Sequence, residues 1–159
     1  MDRLDEEGGD ELPETSARAL RDAVRGLILA HGALDNIKRP CGTALSTPHA
    51  WALLELTNQQ EMTVTELASR LNIDRTNVSR LCQRMVENGE LARSAHPEDK
   101  RVRLISLTEK GKSLAETVND ASAKHFESIL SQLGERSPQV FEALEALIQA
   151  LRRDETTSD

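Results

Sequence analysis

The sequence predicts a mainly α-helical fold with a small two- to three-stranded antiparallel wing: a winged helix-turn-helix lobe joined to a helical dimerisation region. Three observations predict it. Within residues 63–108 two short apolar stripes at helical spacing flank a tight turn. Directly after them the period switches from helical to alternating, with a charged, proline-containing tip between the two alternating runs. Outside this stretch, long amphipathic segments at both ends of the chain have too little of their own to pack against.

Taken in order, residues 1–14 are acidic, glycine-bearing and poor in apolar groups, and read as a disordered, solubilising tail. Residues 15–46 hold a first dimerisation helix and a loop. Thr15 or Ser16 is placed to cap that helix, which is expected to run to about Lys38 with Leu20, Val24, Leu27, Ile28, Leu34 and Ile37 as its stripe. Pro40-Cys41-Gly42 breaks it. Residues 47–112 are expected to form the winged helix-turn-helix lobe. Pro48 lies in the first turn of a helix expected over residues 49–58, where its missing N–H costs little, and Trp51, Leu53, Leu54 and Leu56 are its apolar positions. Residues 59–62 read as a linker.

The first helix of the reading motif carries Val64, Leu67, Ala68 and Leu71 on one face. Asn72 occupies the turn, where a residue tolerant of positive φ is needed, and Asp74 is placed to cap the next helix. That helix buries Val78, Leu81, Cys82 and Met85. Its other face carries Arg75, Thr76, Asn77, Ser79, Arg80, Gln83 and Arg84, side chains able to hydrogen-bond base edges and phosphates. Asn88-Gly89 ends it. The ribbon follows, from Leu91 and again over residues 102–107. Residues 113–155 supply the C-terminal dimerisation helices. Thr108 caps the first of them, with Leu114, Val118, Ala121, His125, Ile129 and Leu130 in a stripe; Gly134 stops it. Ser137-Pro138 opens the last, with Phe141, Leu144, Leu147, Ile148 and Leu151.

Charge agrees with this placement. Residues 70–112 hold ten Lys/Arg against six Asp/Glu, a net +4, whereas the chain is −7 and its remainder −11. An acidic protein with one basic stretch focuses its positive field, as phosphate contact requires.

The run Asp99-Lys100-Arg101, followed by Leu104-Ile105-Ser106-Leu107-Thr108-Glu109-Lys110-Gly111, resembles the wing signature of the MarR family of bacterial transcriptional regulators. Thr47-Pro48 with Trp51-Ala52-Leu53-Leu54, and Thr65-Glu66-Leu67-Ala68, agree in order and spacing. The resemblance spans about residues 20–151. It implies that Asp99 orients Arg101, which enters the minor groove; an arginine at a ribbon tip independently suits a narrow, electronegative groove. Lys100 and Arg103 are expected on phosphates. The family most often represses, and its members commonly respond to phenolic or other amphipathic compounds.

The function expected is therefore a homodimeric, sequence-specific repressor of transcription. Arg75, Thr76, Asn77, Ser79, Arg80 and Arg84 meet the major groove of double-stranded DNA at a pseudo-palindromic operator, and Arg101 the minor. An effector binding where the dimer helices meet the lobe would change the spacing of the recognition helices. Trp51, with His49, is the candidate pocket residue, although a tryptophan on a helix also serves as a core aromatic. His125 is similarly either a satisfied core or interface histidine or a pH or ligand sensor. Two cysteines are too few for a disulfide framework. Cys41 is a candidate redox thiol, while Cys82 reads as a small buried hydrophobe. The rival reading is a winged helix that binds protein partners. No metal cluster, phosphate loop or nucleophile motif points to an enzyme or a cofactor, and the absence of a spanning run or signal peptide points to the cytoplasm.

Overall fold

The computed structural model describes residues 17–32 and 43–156, in two units that divide at Pro40. The first holds one helix, α1 (Ala17–His31), ended by Gly32 at φ 75°. Gly32 takes the left-handed conformation that terminates helices, and the expected continuation to about Lys38 lies outside the described residues. Thr15, Ser16, Leu34, Ile37 and Cys41 lie outside the described residues.

The second unit runs α2 (Thr47–Gln59), β1 (Glu61–Thr63), α3 (Val64–Leu71), α4 (Arg75–Glu87), β2 (Leu91–Ala95), β3 (Arg103–Leu107), α5 (Glu109–Leu133), a 3-10 turn (Gly134–Arg136) and α6 (Ser137–Thr156). Residues expected to be a linker contribute β1, which pairs antiparallel with β3 through Met62 opposite Ile105. Three residues are too few to display an alternating period, so this strand is set by its partner. Strand order is β1-β3-β2, with β2 paired to β3 from Leu91 opposite Leu107 to Ala95 opposite Arg103.

The core lies where α2, α3, α4, the sheet and the start of α5 meet. Leu53, Leu56, Leu67, Val78, Met85, Ile105 and Val118 are its largest fully buried side chains. Trp51 departs from the expected pattern and is 42% exposed. It sits on the opposite side of α2 from Ala50, Ala52, Leu53 and Leu56, which bury the helix.

Only the first part of α5 packs on this core, through Gly111, Ala115 and Val118. Beyond it, Phe126, Ile129 and Leu130 are exposed, as are Phe141, Leu144, Ile148 and Leu151 on α6 and Leu20, Leu27, Ile28 and Leu29 on α1. His125 is exposed and meets Phe126 edge-on, with ring centroids 5.4 Å apart. Among the described residues, no helix is long and apolar enough to cross a membrane.

Candidate nucleic-acid interface

Local chemistry fixes the two helices of the reading motif at each end. Thr63 Oγ1 accepts the Glu66 N–H (3.1 Å) while Glu66 Oε2 accepts the Thr63 N–H (2.7 Å), a reciprocal capping box that starts α3. The Thr63 N–H, joined by the Thr63 hydroxyl donating to the same carboxylate oxygen (2.9 Å), holds the Glu66 carboxyl below its ordinary range. Asn72 ends α3 in the left-handed region at φ 50°. Asp74 Oδ1 then accepts from the N–H groups of Thr76 (2.9 Å) and Asn77 (3.2 Å), starting α4. Gly89, at φ 73°, follows the last turn of α4.

Helix α4 presents two chemically distinct faces. Val78, Leu81, Cys82 and Met85 are buried, and burial raises the Cys82 thiol pKa. Arg75, Thr76, Asn77, Ser79, Arg80 and Arg84 are all exposed on the opposite side. Three further contacts brace this face. Arg75 Nε donates to Thr65 Oγ1 on α3 (3.0 Å). Arg93 of β2 donates to Gln83 Oε1 (2.8 Å), and Gln83 Nε2 donates to Glu87 Oε1 (2.8 Å).

At the wing tip, a turn closed by the Val102 N–H on the Asp99 carbonyl (2.9 Å) carries the signature residues. Asp99 Oδ1 accepts from the Arg101 backbone N–H (3.0 Å) and from Arg101 Nε (3.3 Å). The Arg101 side chain is nevertheless 93% exposed, so Asp99 aims it without covering it. Lys100 and Arg103 are exposed on either side.

A scan against family models matches residues 45–102 to the model described as "MarR family". The "organic hydroperoxide resistance transcriptional regulator" of Bacillus subtilis (strain 168) is 31% identical over 109 residues, which are 69% of this chain and 74% of that protein. The chain belongs to the MarR family. Among solved structures of similar fold, a mutant MarR from E. coli complexed with operator DNA is 19% identical with a TM-score of 0.63, the match covering 81% of this chain and 96% of that one. A structure of Bordetella bronchiseptica BpsR, described by its regulation of DNA binding by 6-hydroxynicotinic acid, is 19% identical with a TM-score of 0.66, over 82% and 98% of the two chains.

For this MarR-family transcriptional regulator the winged helix is thus the DNA-binding part. Its other candidate residues are placed differently. His49 Nε2 lies 2.6 Å from Glu90 Oε2, so its ring is taken up by an internal contact. A cleft of 1210 Å³ opens elsewhere, between the C-terminal half of α2, β1, the end of β3 and the start of α5. Leu54, Leu107 and Ala115 supply its apolar wall, and Glu61, Lys112, Glu116 and Asp120 its charges. Neither His49 nor Trp51 lines it.

Sequence reasoning did not find Thr65 and Arg93 as supports, nor the partner of His49. The signal available for Glu90 was a lone acidic residue between a helix-ending glycine and the buried Leu91.

Proposed function

We propose that this MarR-family regulator is a homodimeric repressor that reads a pseudo-palindromic operator with Arg75, Thr76, Asn77, Ser79, Arg80 and Arg84 in the major groove. Arg101 enters the minor groove, held by Asp99, and Lys100 and Arg103 contact phosphate. The observation that carries the reading is the division of α4 into a sealed apolar face and an exposed face of hydrogen-bonding side chains. The dimer rests on the exposed stripes of α1, α5 and α6, which a second copy would cover.

Selecting bound duplexes from a random pool, followed by titration in salt, tests this. A two-fold symmetric sequence should emerge, with affinity falling by about 0.9 log unit per phosphate contact for each decade of salt. A protein-interaction module would give neither result. Light scattering of the purified chain should return twice 17.6 kDa.

The effector reading belongs to the cleft between α2 and α5, because α5 carries one of the apolar stripes and α2 supports the reading lobe. A ligand there that prefers one spacing of the recognition helices shifts operator affinity. Its carboxylates, Glu61, Glu116 and Asp120, outnumber Lys112, whose Nζ already lies 2.7 Å from Glu109. A neutral phenol or another uncharged amphipathic molecule suits this lining better than an organic anion.

A second reading is favoured by the peroxide response in the name of the Bacillus subtilis relative: oxidation of Cys41 releases DNA. The burial of Cys82 leaves Cys41 as the candidate thiol. Organic hydroperoxide should then release wild type but not Cys41→Ser; equal release of both would exclude it.

A further inference from the structure

We propose that Thr65 is a specificity-determining positioning residue: by holding Arg75 through Nε, it fixes that guanidinium for end-on, bidentate recognition of guanine. The inference rests on the reading that α4 enters the major groove.

Arg75 is the first residue of α4, and its exposed side chain reaches back to Thr65 in the first turn of α3, ten residues earlier. Its Nε donates to Thr65 Oγ1 at 3.0 Å, and among the described residues this is its only side-chain hydrogen bond. An arginine fork presents five N–H groups in one plane. With Nε engaged, the two terminal nitrogens remain, and their outward N–H pair matches the O6 and N7 acceptors of guanine in the major groove. The side-on mode, which needs Nε, is closed. Thr65 therefore selects one docking geometry of the two available to a free arginine.

The wing uses the same device. Arg101 is also engaged through Nε, there by Asp99 Oδ1, and again both terminal nitrogens are left for DNA. At both places the supporting oxygen belongs to a different residue position from the reader, so side-chain freedom is restricted before DNA arrives. The two supports differ in charge. Asp99 is an anion close to phosphates, whereas the Thr65 hydroxyl is neutral and keeps its own proton. That proton can be donated to a phosphate oxygen while the lone pair holds Arg75. Both capped helices fix the geometry: the Thr63–Glu66 box sets the first turn of α3, and Asp74 sets that of α4.

The test uses the full-length protein and the operator selected as above, with competition binding against duplexes changed one symmetric pair of base pairs at a time. Arg75→Ala should abolish discrimination at one guanine position per half-site. For a bidentate contact that discrimination is about 5- to 150-fold. Thr65→Val, which keeps the shape and removes the hydroxyl, should lose at least about threefold of the discrimination at that same position and none elsewhere. Thr65→Ser should restore it. Unchanged melting temperatures would assign the loss to positioning rather than to folding. If Thr65→Val keeps full discrimination where Arg75→Ala loses it, Thr65 has no positioning role. If Arg75→Ala alters no position, the assignment of Arg75 as a reader fails, and the inference with it.

Discussion

His49 Nε2 lies 2.6 Å from Glu90 Oε2, joining the first turn of α2 to the turn between the recognition helix and the wing. Glu90 is the one buried charged side chain among the described residues, at 5% exposure. The same turn is held from the other side: Thr108 Oγ1 donates to the Gly89 and Glu90 carbonyls, at 2.6 and 3.1 Å, and Lys110 Nζ to the Asn88 carbonyl at 2.6 Å. The end of α4, the start of β2, the start of α5 and the start of α2 thus converge on residues 88–90.

Removing one partner of the pair should cost more than removing both. His49→Ala leaves the buried Glu90 carboxyl with only its long contact from Asn88 Nδ2 (3.4 Å) and should lower stability by about 1–3 kcal/mol. The double variant His49→Leu/Glu90→Leu should lose less than His49→Ala alone, because neither polar group is stranded. Urea midpoints at constant m-value measure both.

Gly111 is where α5 passes over that turn. A Cβ built there falls well inside the van der Waals contact distance of the Glu90 carbonyl oxygen and 3.1 Å from Leu107 Cδ2. Backbone is in the way, not a flexible side-chain end. Gly111→Ala should therefore destabilise by about 1–3 kcal/mol. Gly26→Ala, in α1 with nothing within 4 Å of the added carbon, should be neutral or stabilise by up to about 1 kcal/mol. Thermal unfolding of the two variants should move in opposite directions or leave only the first displaced.

The capping box carries a pH signature. Hydrogen bonds from Thr63 hold the Glu66 carboxyl below its ordinary value in the folded chain. Its stabilisation is present above the unfolded-state pKa and is lost as pH falls through the lower folded value. Glu66→Gln should therefore be less stable than wild type at pH 7, with the gap narrowing once the pH drops below the usual carboxylate range. A gap independent of pH between 7 and 3 would contradict the assignment.

Asp99 separates orientation from charge. Deleting an anion beside DNA should strengthen binding if electrostatics alone mattered. Because Asp99 aims Arg101, Asp99→Ala should instead weaken operator affinity by roughly threefold to fivefold, about 0.7–1 kcal/mol. Fluorescence anisotropy at fixed salt distinguishes the two signs.

The elements most legible in the sequence were those set by local chemistry. The turn at Asn72, the cap at Asp74 and the four buried positions of α4 follow from φ tolerance, an N-terminal acceptor and a 3.6-residue period, all contained within a few residues. The wing was legible for the same reason. What escaped depended on distant partners. β1 exists because β3 lies beside it, and Trp51 is exposed because Ala50, Ala52 and Leu53 already fill the face of α2 that meets the core. His49 was grouped with Trp51 by proximity along the chain, yet its partner lies 41 residues away. The aim of Arg75 depends on Thr65 of the preceding helix, and hydroxyls are too frequent for spacing to single one out.

The position of β3 between β1 and β2 has a mechanical consequence for the tip that precedes it. A two-stranded ribbon would bend at its root when Arg101 is pushed sideways. Here the strand beginning at Arg103 is gripped along both edges, and β1 runs straight into the opening turn of α3. Displacing the tip therefore tilts α3 with it, so Arg101 and the helices of the reading motif move as one body.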